Sequence, residues 1–222
     1  MNNRQISNPG FLIDLDGLLI NSETLSLVAF EKMCQSLGCE FTQNYHASIR
    51  GMKKTQWAQD FVSKFGLDKS SLEVANLHSS LLLTEMDKSV RLMPGAELLL
   101  SWIAQNGYAS ALVTSSDRNY ATTYLRRLQI ADFFGEIVSA EDVRNGKPNP
   151  EPYLIGAQRI EKEPGNCIVL EDSVNGVLAG KASGAVVIAV PSTDSDKEKM
   201  SSSDYVVPSL IKALEIVKGM GL

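Results

Sequence analysis

Two hydrophobic rhythms divide the chain. Residues 11–15 (Phe-Leu-Ile-Asp-Leu) form a short apolar run. From Ser22 to about Ser89, apolar positions recur every three or four residues. Leu27, Phe30, Cys34 and Leu37 share one face, Trp57, Phe61 and Phe65 a second, and Leu72, Ala75, Leu82 and Met86 a third. That spacing predicts amphipathic helices with no strand between them. From Leu92 onward, short apolar runs at 110–113, 136–138, 167–170, 186–190 and 205–207 alternate with helical stretches. The runs are continuous rather than alternating, as expected of strands buried on both faces of a parallel sheet. Asn106-Gly107 closes one helix, Ser116 or Asp117 opens another, and Ser173 is placed to cap a third.

Strands alternating with helices through right-handed crossovers give a doubly wound α/β fold, a Rossmann-like parallel sheet. The first run belongs to that sheet, so the helical block is an insertion after strand one. The expected organisation is a discontinuous core at 1–20 and 91–222 with an inserted all-helical cap domain at 21–90. The polar stretch from Ser192 to Asp204 reads as an exposed loop.

Composition narrows the function classes. A chain of 222 residues buries enough surface to need no disulfide or structural metal. Lys plus Arg is 21 against 26 Asp plus Glu, a formal net charge of −5. This excludes a surface built to bind nucleic acid by bulk charge, but leaves room for a basic pocket. No apolar run approaches the ~18 residues of a membrane span. The polar start MNNRQISNPG is not a signal peptide. Cys34, Cys39 and Cys167 form no CxxC, so a reduced, cytoplasmic protein is expected, its thiols filling small apolar spaces. His46 and His78 lie too far apart in sequence to suggest zinc. The absence of a heptad run favours a monomer.

In open parallel sheets, ligands bind beyond the carboxyl ends of the strands, and chemistry-bearing residues follow four of the runs. Asp14-Leu15-Asp16-Gly17 comes after the first; Asp14 and Asp16 point the same way, and Gly17 permits a sharp turn. Carboxylates this close repel unless a cation or proton sits between them. Thr114-Ser115-Ser116 comes after the second run, where hydroxyls and the N–H groups of a helix start make an anion site. Gly146-Lys147-Pro148-Asn149-Pro150 comes after the third. Lys147 there precedes a helix N-terminus, where the dipole disfavours a cation, so a carboxylate or bound anion is its natural partner. Glu171-Asp172-Ser173 comes after the fourth, offering the hard oxygen ligands that Mg²⁺ prefers.

This ordered set resembles the haloacid dehalogenase superfamily over nearly the whole chain. Its motifs are Asp14-Leu15-Asp16-Gly17, Thr114, Lys147 within GKPNP, and Glu171-Asp172-Ser173 followed by Asn175-Gly176. The stretches GLLINSE, LMPGAELLL, GKPNPEPY and LEDSVNGV are most similar to the beta-phosphoglucomutase-like and sugar-phosphate phosphatase branch, with its helical cap. The resemblance implies that Asp14 is the nucleophile and Asp16 the general acid and base. It implies Mg²⁺ on the Asp14 side chain, the Asp16 carbonyl and Asp172, with Glu171 direct or through water. Lys147 and the metal would offset phosphoryl charge, Thr114, Ser115 and Ser116 would hydrogen-bond the phosphoryl oxygens, and Asn149 would support the same phosphate-binding loop. Arg50 and Lys54, in Arg50-Gly51-Met52-Lys53-Lys54, resemble a cap loop that grips a second phosphate.

Dehalogenases of the superfamily need neither metal nor second Asp, so Asp16 with Glu171-Asp172 favours phosphoryl transfer. Three positions depart from the branch. Asn21 stands where Asp is usual, Ser26 where the mutase has His, and Arg118 where it has Asn. The implied activity is a Mg²⁺-dependent phosphatase acting on a small phosphorylated metabolite, a sugar phosphate or nucleoside monophosphate. The alternatives are a phosphohexose mutase and a catalytically retired binding protein on the same fold. The linkers near residues 20–22 and 89–93 are expected to let the cap open and close.

Overall fold

The computed structural model describes residues 7–49, 54–192 and 194–222. The chain forms two compact units, one of residues up to Ile20 with Leu92–Leu222, the other Asn21–Arg91.

The first unit is built on β1 (Gly10–Ile13), β2 (Ser110–Val113), β3 (Glu136–Val138), β4 (Cys167–Glu171), β5 (Val186–Ala189) and β6 (Tyr205–Val206). All pairings are parallel, in the order β3-β2-β1-β4-β5-β6. Phe11, Leu12, Ile13, Ala111, Leu112, Val113 and Cys167 through Leu170 are fully buried, which is why their runs show no polar alternation. Burying each large apolar side chain contributes roughly 1.5–3 kcal/mol. β1 stops at Ile13, before Asp14, and β4 runs on to Glu171. The strand order reverses between β1 and β4, so the crevice beyond their carboxyl ends is the expected ligand position.

The connecting helices are α5 (Ala96–Gln105), α6 (Arg118–Arg127), α7 (Glu151–Arg159), α8 (Val174–Ser183), α9 (Asp194–Lys199) and α10 (Leu210–Gly219), which follow α1 to α4 of the second unit. Asp117 caps α6 by accepting from Tyr120 N–H at 2.8 Å, and Ser173 caps α8 by accepting from Gly176 N–H at 3.0 Å. Asn106 and the left-handed Gly107 (φ 71°) end α5. The stretch from Ser192 to Asp204 is not all loop, since α9 occupies its middle. That helix is one polar segment, Asp-Ser-Asp-Lys-Glu-Lys, with no apolar stripe to betray it. Among the described residues, no helix is long and apolar enough to cross a membrane.

The second unit contains α1 (Ser22–Ser36), α2 (Gln43–Ile49), α3 (Lys54–Phe65) and α4 (Ser71–Ser89). Its core is an aromatic cluster in which Phe30 meets Phe61 edge-on at 5.5 Å, Trp57 at 5.7 Å, His46 at 5.2 Å and His78 at 5.8 Å. Cys34 is buried in the same cluster. A capping box starts α4: Ser70 Oγ accepts from Glu73 N–H at 3.2 Å, and Glu73 accepts from Ser70 N–H at 2.8 Å. Leu72, read as facing inward, is 67% exposed, and Val74 is buried instead. Two residues apart on a helix means about 200° around its axis, so the two cannot share a face. The unit's ends are tied by Asn21, whose N–H donates to Arg91 O at 3.2 Å. Its amide oxygen accepts from Arg91 N–H at 2.8 Å and its amide nitrogen donates to Ser89 O at 3.3 Å. Because Arg91 is held through both backbone groups, it falls with the helices, one residue beyond the expected boundary at 90.

Candidate active site

The carboxyl ends of β1, β2 and β4 bring together Asp14, Asp16, Thr114, Ser116, Lys147, Glu171 and Asp172. Asp14 follows β1 directly, its N–H donating to Leu170 O at 3.2 Å, which locks it beside the end of β4. Gly17 takes φ 81°, the left-handed conformation that lets the chain turn sharply after Asp16. The turn closes by Gly17 N–H donating to Ile20 O at 3.1 Å.

Lys147 is the hub. Its ammonium donates to Asp14 Oδ1 at 2.5 Å, Glu171 Oε1 at 2.6 Å and Val113 O at 3.0 Å. Three donors thus meet three acceptors on three different strand ends. The Lys147 side chain is only 5% exposed. Burial opposes its charge, but the Asp14 and Glu171 carboxylates outweigh that and hold it above the usual lysine range. Burial pushes the Asp14 carboxyl up, to about 8; Lys147 pulls it down, while Glu171 and Asp16 push it further up.

Glu171 is fully buried and its hydrogen-bonding capacity is filled. Oε1 accepts from Lys147 and from Tyr153 OH, each at 2.6 Å. Oε2 accepts from Ser173 N–H at 3.1 Å and Ser173 Oγ at 2.9 Å. A carboxylate has about four such positions. The first turn of α8 must pass directly over this group. A Cβ at Gly176 would lie 1.8 Å from the Glu171 carboxyl, so only glycine fits there.

Asp16 faces the start of α6. Its Oδ2 accepts from Ser116 Oγ at 2.7 Å and from Thr114 Oγ1 at 3.5 Å, and its Oδ1 accepts from Tyr120 OH at 2.9 Å. Thr114 also receives Ser116 N–H at 3.0 Å. Ser115 is exposed and makes no hydrogen bond among the described residues, so its N–H and hydroxyl are open to a ligand.

Asn149 is exposed, and its side chain accepts from Glu151 N–H at 3.0 Å. It therefore braces the turn between the Lys147 loop and the first residue of α7, whose cap position is Pro150. Lys54 opens α3 in the helical unit and is exposed. Arg50 lies outside the described residues. Arg118 is turned away from the carboxylates and donates to Asp142 Oδ2 at 2.5 Å and Ile137 O at 3.0 Å.

Two functional side chains escaped sequence reasoning, Tyr120 and Tyr153. Tyr153 carried a weak signal, falling in the first turn of the helix that follows the Lys147 loop. Tyr120 sits at the third position of α6, and helical side chains lean toward the N-terminus, so its hydroxyl reaches back to the strand ends.

The donor chemistry fits a divalent cation. Asp14, Glu171 and Asp172 are buried and offer oxygens within 4.8 Å of one another. Counting Asp16, four carboxylates gather at these strand ends against one buried ammonium, an excess of acidic groups whose repulsion a hard cation would relieve.

Comparison with known proteins places the chain in a family. The family model of haloacid dehalogenase-like hydrolases matches residues 11–190. The bifunctional riboflavin kinase/FMN phosphatase of Arabidopsis thaliana is 34% identical over 201 residues, 90% of this chain, which spans 53% of that longer protein. Hexitol phosphatase A of Escherichia coli (strain K12) is 33% identical over 205 residues, 90% of this chain and 91% of that one. A crystal structure of a Thermotoga maritima protein, provisionally named a beta-phosphoglucomutase, aligns with TM-score 0.83 and 25% identity. That alignment covers 95% of this chain and 99% of the other.

Proposed function

The chain belongs to the haloacid dehalogenase-like hydrolases as a phosphomonoester hydrolase, and from that premise we propose that it cleaves a small phosphorylated metabolite with Mg²⁺ through an aspartyl-phosphate. The observation that carries this reading is the ammonium of Lys147 clamped between Asp14 and Glu171 beside the hydroxyls of the α6 start.

Lys147 holds Asp14 Oδ1, which orients the other carboxylate oxygen for attack on phosphorus. As the Asp14 O–P bond forms, the bond from phosphorus to the ester oxygen breaks. Asp16 delivers a proton to the departing alcohol. In the second half, Asp16 takes a proton from water as it attacks phosphorus, the Asp14 O–P bond breaks, and inorganic phosphate leaves. The Ser115 N–H and hydroxyl and the Thr114 hydroxyl are the donors for the non-reacting phosphoryl oxygens, with Lys147 supplying positive charge. Asp14, Asp172 and the Asp16 carbonyl would hold the cation, whose chemistry is to offset charge on the transferring group. Glu171 acts through Lys147, and its carboxyl stands in the same cluster as Asp14 and Asp172.

Relatives whose names include hexitol, FMN and pseudouridine phosphatases support a small phosphorylated metabolite as substrate. A panel of sugar phosphates and nucleoside monophosphates, assayed with and without Mg²⁺, tests the reading. Phosphate release by the wild type and its loss in Asp14→Asn are expected. A wild type without turnover, or an Asp14→Asn protein with unchanged turnover, would sink it. Conversion of a sugar 1-phosphate to its 6-phosphate without phosphate release would replace phosphatase by mutase.

A further inference from the structure

We propose that Tyr120 is a positioning residue for Asp16: its hydroxyl fixes the plane of the proton-donating carboxylate and so governs the departure of poor leaving groups. The inference deepens the phosphatase reading and rests on it.

Asp16 is held at both oxygens from one short segment, Ser116 Oγ on Oδ2 at 2.7 Å and Tyr120 OH on Oδ1 at 2.9 Å. A carboxylate held at one oxygen can still rotate about its last torsion, which is broad for Asp. Held at both, its plane is set. The segment that does the holding is itself anchored. Asp117 caps it through Tyr120 N–H at 2.8 Å, and the Glu141 carboxylate accepts from Arg118 N–H at 3.1 Å. Ala140 N–H donates to Ser116 O at 3.0 Å. The Tyr120 ring packs edge-on against Tyr124 at 4.8 Å, which fixes the direction of its hydroxyl. Packing accounts for the ring; the hydroxyl is the part directed at Asp16.

A proton donor must lie in line with the oxygen it protonates, and small errors of placement are costly. An alkoxide leaving group needs that proton as it departs, whereas 4-nitrophenolate leaves without one. Loss of the Tyr120 hydroxyl should therefore slow one kind of ester and spare the other. A residue that only supports the fold would slow both alike.

The test is Tyr120→Phe, which keeps the ring. Single-turnover release of the alcohol is followed for the alkyl phosphate that the wild type hydrolyses fastest in the panel, and for 4-nitrophenyl phosphate. The expected result is about a tenfold loss on the alkyl ester, a fraction of the 10²–10⁴ ascribed to general acid catalysis. The release step on the nitrophenyl ester should change by less than about twofold, because no proton is needed there. In an Asp16→Ala background, adding Tyr120→Phe should change neither rate, since the hydroxyl then has nothing to position. Equal losses on both esters, no loss on the alkyl ester, or a full further loss on top of Asp16→Ala would each overturn the inference while leaving the phosphatase reading intact. A wild type that turns over neither ester would overturn both.

Discussion

Glu171→Gln replaces one carboxylate oxygen by an amide nitrogen and leaves size and shape alone. The structure makes this small change expensive. Every group that meets the Glu171 carboxylate is donating: Lys147 Nζ and Tyr153 OH at Oε1, Ser173 N–H and Oγ at Oε2. A glutamine amide has one acceptor and one donor end. With its NH₂ toward Lys147, two sets of donors face each other beside an ammonium. With its NH₂ toward Ser173, it faces a backbone N–H that cannot turn away. Neither flip satisfies all the groups, and Lys147 loses its pairing with the Glu171 carboxylate. Breaking a buried ion pair costs about 3–5 kcal/mol. Lys147 keeps Asp14 as a partner, so the lower end, about 3 kcal/mol, is the expected loss. For a chain of this size, that amounts to a fall in melting temperature of roughly 6–12 °C. Calorimetry of the metal-free protein at neutral pH measures it directly. A Glu171→Gln protein melting within about 2 °C of the wild type would refute the argument that this carboxylate is saturated by donors.

Asn21→Asp restores the residue usual in the branch, yet it should destabilise the helical unit by about 1–2 kcal/mol. The carboxylate still accepts from Arg91 N–H but faces Ser89 O, which now receives the Asn21 amide at 3.3 Å; an unchanged melting temperature would count against this. Asp142 sets an acid limit. Burial opposes its ionisation, but hydrogen bonds from Arg159, Ser139 and Arg118 outweigh it and hold the carboxyl well below the usual carboxylate range. The folded value lies below the unfolded one, so this stabilisation is complete above about pH 4 and is lost as pH falls below it. Melting temperature should therefore drop more steeply on acidification in the wild type than in Asp142→Asn, and parallel curves would contradict the assignment.

The inner strands β1, β2, β4 and β5 were readable because burial on both faces removes polar alternation, and because turn chemistry follows their runs. Asp14, Lys147, Glu171 and Asp172 were readable for a related reason: Asp14, Glu171 and Asp172 stand at or just past a strand end and Lys147 in the loop that follows β3, where parallel topology gathers whatever it finds. The 3.6-residue rhythm marked the helical block but not each inward position, as Leu72 shows. Polar α9 had no rhythm to read.

What the sequence left open was the allocation of hydrogen bonds. Glu171 reads as a metal ligand, and the structure adds four hydrogen-bond donors to it, all from Lys147, Tyr153 and Ser173. Asn149 reads as a phosphate-binding residue, and its side-chain oxygen is found on Glu151 N–H. Tyr120 and Tyr153 drew no reading from sequence, and it is the direction of each hydroxyl that makes them part of the site. A residue's type fixes which bonds it can make, and strand order fixes which residues meet. Which bonds are made depends on competition among all donors within reach. At this site the competition has a consistent outcome. The hydroxyls and the ammonium are directed at Asp16, Asp14 and Glu171, so the reactive carboxylates are oriented before any substrate arrives.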